Sequence, residues 1–137
     1  MTRRLFLPFL AAPLLAGSEE ALDILTVVAA ALSEGNPIAF LQAFDRSMPG
    51  YANMESNVTA LTSQTDIVCS IDILKEGGDD NTRSAEVDWF MQLRSKSERG
   101  PMERRRQIVT IKVAKLKKKW KIVAFDPAAI LAPLTVK

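Results

Sequence analysis

The sequence contains no histidine and only one cysteine, Cys69, in 137 residues. Without an imidazole there is no Ser-His-Asp or Cys-His machinery. A single thiol forms no disulfide within the chain, and without histidine it makes a poor metal ligand. Neither a metal nor a cofactor is implied. Cys69 lies in an alternating apolar run, which predicts a core position. Glycine-rich phosphate loops are absent. No apolar run reaches the ~20 residues of a membrane-spanning helix. The N-terminal run, Leu5 to Ala16, has twelve residues and is broken by Pro8 and Pro13. What remains is an ordinary globular balance, 47% apolar and 25% charged, in a length that suits one domain.

The first eighteen residues, MTRRLFLPFLAAPLLAGS, stand apart. Arg3 and Arg4 precede the apolar stretch, and Ala16 and Ser18 have the spacing of a cleavage site. This is the layout of a secretory signal peptide. It predicts a mature domain over 19–137, periplasmic or secreted, with no membrane anchor after cleavage. TRRLFL is also similar to the twin-arginine export motif, although Pro8 follows it, so both export routes stay open.

Charge is segregated along the chain. Residues 19–93 carry 13 acids and 3 bases, whereas residues 94–137 carry 3 acids and 13 bases. The mature segment is neutral overall, which argues against a nucleic-acid partner.

The pattern begins helical. Ser18 to Glu34 predicts a helix with Ser18 as N-cap and Leu22, Leu25, Ala29 and Leu32 on its apolar face. Gly35 stops it. Asn36-Pro37 starts a second helix over Ile38 to Asp45, with Phe40, Leu41 and Phe44 inward. Met48-Pro49-Gly50 is a turn, and Tyr51 to Thr62 forms a third helix. From residue 66 the period becomes two. Four strands are predicted, over 66–75, 83–95, 104–116 and 120–125, with a loop at 76–81 and another at 96–103. Lys117-Lys118 forms the last tip, and Asp126-Pro127 ends the last strand. Lys-Lys suits a tight primed turn badly, which leaves room for a longer tip.

With a two-residue tip, Val113 faces Ile122, Ile111 faces Ala124 and Thr110 faces Phe125. One buried face results, comprising Val87, Trp89, Met91, Val109, Ile111, Val113, Trp120 and Ile122. The lysines of KLKKKWK then fall at a solvated tip and on the other side. Glu86 and Asp88 come near Lys112 and Lys115, so part of the charge segregation is a cross-strand match. The opposite face carries Phe90, Ile108, Thr110, Val123 and Phe125, a candidate homodimer surface.

Three helices followed by a four-stranded meander ending in KKKWKIVAFDP (117–127) resemble the nuclear transport factor 2-like superfamily, which includes SnoaL-like and ketosteroid-isomerase-like domains. ALSEGNPIAFLQAF (31–44) is similar to its opening helices. The resemblance covers about residues 19–133. It implies an α+β cone, three helices packed on a curved four-stranded antiparallel sheet, with a pocket at the open end and dimers through the sheet. SnoaL-type and dehydratase-type members commonly use His with Asp, which this chain lacks. Isomerase-type members use Tyr and Asp, for which Tyr51 and Asp45 are the candidates, without a matching motif.

Phe44, Tyr51, Met54, Trp89, Met91 and Trp120 are pocket candidates. Asp72, Asp88 and Asp126 read better as strand-surface or turn charges than as a catalytic pair. Arg104-Arg105-Arg106 reads as the charged start of a strand, with anion capture as the alternative. The expected function is an exported, non-catalytic domain binding a small apolar ligand or a protein partner. The alternative is a small-molecule isomerase or lyase of the ketosteroid-isomerase kind.

Overall fold

The structure, a computed structural model, describes residues 12–97 and 102–134, with side chains from Ala21 onward. Residues 1–11 of the proposed leader lie outside the described residues.

Helix α1 spans Ala12–Ser33. It starts ahead of Ser18, which is therefore an interior helical residue and not the predicted N-cap. Its buried stripe is Ala21, Leu25, Val28 and Leu32, the i, i+4, i+7 spacing of a one-sided helix. Leu22, predicted inward, is 52% exposed. The stripe is thus rotated from the predicted one. Gly35 (φ 70°) ends the helix. Asn36 N–H donates to Ala31 O at 2.8 Å and Gly35 N–H to Leu32 O at 3.1 Å, the paired closure of a Schellman motif. Asn36 then caps α2 (Pro37–Gln42), its Oδ1 accepting from Ala39 N–H at 3.0 Å. Helix α3 covers Tyr51–Gln64 and buries Met54, Val58, Leu61 and Thr62.

The strands are β1 (Thr65–Gly78), β2 (Thr82–Ser95), β3 (Met102–Leu116) and β4 (Lys119–Asp126). They form one antiparallel sheet in sequential order, curved and unclosed, so the class is α+β. A 3-10 turn, Ala128–Leu131, follows. The β1–β2 loop is shorter than predicted because the strands continue to Gly78 and resume at Thr82. Asp79 Oδ1 accepts from Asn81 N–H (2.9 Å) and Thr82 N–H (2.8 Å). These two amides hold its carboxyl below the usual carboxylate range. Arg83, 8% exposed, pairs with Glu76 at 2.5 Å beside this turn.

Register shifts at Leu74 in β1 and Val123 in β4 bend the sheet. The second shift corrects the predicted register. Val113 faces Ile122 as expected, but Ile111 pairs with Phe125 and Thr110 with Asp126. The extra residue is Val123, and beyond it inward and outward positions exchange. Phe125 therefore joins the core, 8% exposed, and does not belong to the outer face. Its ring meets Trp89 edge-on at 5.2 Å and Phe44 at 5.9 Å. The predicted β2–β3 charge pairs also differ. Glu86 lies opposite Thr110 and Asp88 opposite Ile108. Asp88 instead receives two hydrogen bonds from Arg106, at 3.1 and 2.7 Å. That guanidinium holds the Asp88 carboxyl below its ordinary range.

The helices cover the inner sheet face, and the core runs from Val28 and Phe40 through Trp89 and Met91 to Ile122 and Leu131. The free edge of β4 is partly covered by the chain after α2. Asp45 N–H donates to Ile122 O (2.9 Å) and Ile122 N–H to Ala43 O (2.8 Å), the kind of cover that protects a sheet edge. Among the described residues no helix is long and apolar enough to cross a membrane.

Candidate functional site

The cover over the β4 edge also builds a groove. One wall comes from α2, the segment after it and the start of α3, with Ile38, Leu41, Phe44, Asp45, Tyr51 and Glu55. The other comes from the β3–β4 hairpin, with Lys115, Leu116, Lys117, Lys119 and Lys121. Its volume is about 1030 Å³, at the upper end of the ~300–1000 Å³ typical of small-molecule sites. Phe44 is buried at its floor, its ring 4.9 Å from Phe40. Ile38, by contrast, is 70% exposed.

The polar groups divide into fixed and free. Asp45 is held by its own turn. Its Oδ2 accepts from Ser47 Oγ at 2.8 Å and its Oδ1 from Ser47 N–H at 3.3 Å. Lys121 Nζ donates to Gln42 O across the groove wall. Lys115, Lys117 and Lys119 form no ion pair among the described residues.

Of the predicted pocket residues, Phe44 and Tyr51 line this groove. Met54, Trp89 and Met91 are 2%, 0% and 0% exposed and lie within the packed core. The Trp89 Nε1 proton has no hydrogen-bond partner among the described residues. Trp120 is half-buried opposite Lys115. On the outer face, Phe90 and Val123 are half-buried, Thr110 is exposed and Ile108 is 49% exposed.

The three consecutive arginines each have an internal partner. Arg105 donates to Ile130 O (2.8 Å) and Ala132 O (2.6 Å) and pairs with Glu103, fastening the 3-10 turn to β3. Arg106 holds Asp88, and Arg104 reaches Gln92 Oε1 at 3.5 Å.

A smaller cleft of about 310 Å³ lies between α1 and the β1 edge, lined by Leu22, Thr26, Ala29, Cys69, Ile71 and Ile73 among others. Ser33 Oγ accepts from Cys69 N–H at 3.3 Å. Burial pushes the Cys69 thiol up to about 12. Its neutral form dominates at ordinary pH, which makes it a weak nucleophile and a poor metal ligand.

Sequence reasoning missed the lysine-rimmed groove because it assigned those lysines to a solvated tip. The available signal was Leu116 and Trp120 set among them, together with an apolar second helix ending next to the last strand.

Three helices on one face of a curved antiparallel meander define a cone-shaped α+β domain. The chain has the nuclear transport factor 2-like fold. It is similar to a nuclear transport factor 2-like superfamily protein of Salmonella enterica serovar Typhimurium, with TM-score 0.69 and 15% identity, over 90% of this chain and 96% of that one. A protein of Novosphingobium aromaticivorans described as a candidate aromatic ring hydroxylase superposes at TM-score 0.70 with 14% identity, over 81% and 87%. A candidate scytalone dehydratase from the same bacterium gives TM-score 0.68 and 12% identity, over 81% and 82%. No family model and no curated protein matches the sequence.

Proposed function

We propose that the chain is an exported, non-catalytic domain that holds a small, largely apolar ligand in the groove beside β4 and pairs with a second copy through its outer sheet face. The observation that carries the ligand reading is a groove of ligand size whose apolar residues Ile38, Leu41 and Leu116 are left partly open. Export rests on the arrangement of residues 1–18.

Pairing is supported by the outer face, where Val68 is 59% and Ile108 49% exposed. The charges there suit self-association. Asp66 and Asp72 stand on β1, and Arg104, Arg106 and Lys112 on β3. A two-fold axis along the strands and passing over β2 would set β1 of one copy over β3 of the other, acid toward base.

One observation favours the isomerase alternative: Asp45 and Tyr51 border the same groove. The Ser47 bonds to Asp45 weigh against it, because they commit the carboxylate to a turn. Asp45→Asn would separate the two, abolishing turnover of a steroid-like ketone under the alternative and leaving ligand binding intact under the main reading.

Native mass spectrometry of the protein as recovered from an exporting bacterial host tests the main reading. The expected spectrum shows a dimer lacking the leader and carrying a retained small-molecule mass. An empty monomer with the leader attached would overturn all three parts.

A further inference from the structure

The ligand reading can be taken further, because the groove has a strong sign. Its lining holds Arg46, Lys115, Lys117, Lys119 and Lys121 against only Asp45 and Glu55. Asp45 is already occupied by Ser47, and Lys121 by the Gln42 carbonyl. Three lysines of the hairpin are left without an acidic partner among the described residues, around a groove whose other wall carries Ile38, Leu41 and Phe44 among polar residues.

Lysines at a hairpin tip alone would be an ordinary solvated surface. Here they face Ile38, Leu41 and Phe44 across a volume of about 1030 Å³, and Leu116, 38% exposed, sits among them. Apolar area left open on one side and unpaired cations on the other have one complementary ligand chemistry. That ligand has an apolar body and an anionic end. A neutral apolar molecule would leave the lysines unpaired, and a small inorganic anion would leave the apolar wall wet.

We infer that the groove takes a single-chain amphipathic anion, a long-chain carboxylate, with its tail along Ile38, Leu41, Phe44 and Leu116 and its head among Lys115, Lys117 and Lys119. This inference rests on the ligand reading above and adds the charge of the ligand. The ligand is taken as a free monomer and not as part of a bilayer, because the binding surface is a groove between two walls.

The test compares sodium decanoate, kept below its micelle concentration, with 1-decanol, by isothermal titration calorimetry on the full chain. Decanoate is expected to bind about tenfold more tightly than decanol, given three exposed charge contacts each of modest strength. That advantage should shrink as salt is raised from 0.05 to about 0.5 M. A triple variant, Lys115→Gln with Lys117→Gln and Lys119→Gln, should lose the decanoate preference and keep decanol binding. Ile38→Asp, a change at a largely exposed position that leaves the core intact, should weaken both.

Equal binding of the two ligands would overturn the charge inference and leave the ligand reading standing. Failure of both to bind would overturn the ligand reading itself. Binding to anionic phospholipid vesicles without binding to monomeric decanoate would replace the inference with membrane-surface attachment.

Discussion

At the residue scale, the side chains that decide the structure are those buried with a charge or turned by one position. Arg83 is the clearest case. Its guanidinium is nearly buried against Glu76, so removing it takes a close cation from a carboxylate whose side chain is itself only 10% exposed. Arg83→Ala should destabilise the domain by about 3 kcal/mol, measured by urea unfolding, whereas Arg104→Ala, at an exposed site, should change stability by less than about 0.5 kcal/mol. This pair was not legible in the sequence. Glu76 read as a loop residue because EGGDDN has the composition of a turn, yet the strands extend past it. Cys69 read as a core position from alternation alone, but it is only half-buried and lines the α1–β1 cleft. Its raised pKa predicts alkylation by iodoacetamide at pH 8 slower by about tenfold or more in the native state than in the unfolded chain. Comparable rates in the two states would show that the α1–β1 cleft does not shelter the thiol.

At the element scale, strand identity was plain from the two-residue period, the stop of α1 from Gly35 and the start of α2 from Asn36-Pro37, whereas α2 ends at Gln42 and not at the predicted Asp45 because Phe44 pairs with Ile122. Each of the first three has a local cause that a sequence displays. Bulges do not. Val123 looks like any other β-branched strand residue, and its insertion into the ladder is set by the packing of Phe125 against Trp89 and Phe44. The exchange of faces it produces is directly measurable. Phe125→Ala should cost about 3–5 kcal/mol, as for a buried aromatic. Ile108→Ala on the outer face should cost less than about 1 kcal/mol in the monomer. The reverse order would restore the simple register.

The hairpin tip carries a second lesson. Lys117 and Lys118 both hold positive φ, 51° and 71°, the backbone of a two-residue primed turn despite side chains that disfavour it. Lys118→Gly should therefore raise stability by about 1 kcal/mol, read as a higher melting temperature. A destabilised variant would mean that the lysine stem contributes packing that the turn geometry does not reveal.

At the scale of the whole molecule, the segregation of acids and bases along the chain resolves into three arrangements. The Asp88–Arg106 contact takes up part of it across β2 and β3. The outer sheet face carries another part, with Asp66 and Asp72 on β1 and Arg104 and Lys112 on β3, the layout on which the proposed pairing rests. The hairpin lysines carry the rest, set around the groove. The cone was legible because element order and periodicity specify it. The groove was not, because it forms where the chain after α2 crosses the β4 edge, a contact between residues far apart in sequence. The neutral balance of residues 19–137 argued against a nucleic-acid surface, and the lysines acquire a different meaning with Ile38, Leu41 and Phe44 lining the same groove.

The central claim is that this groove, and not the packed core or the α1–β1 cleft, receives a ligand. Amide and methyl chemical-shift mapping of the isotope-labelled protein, titrated with decanoate, tests it directly. The account predicts shifts concentrated at Ile38, Leu41, Tyr51 and Leu116, with Val28 and Trp89 unmoved. Shifts centred on Leu22, Cys69 and Ile71 would place the site in the other cleft and contradict it.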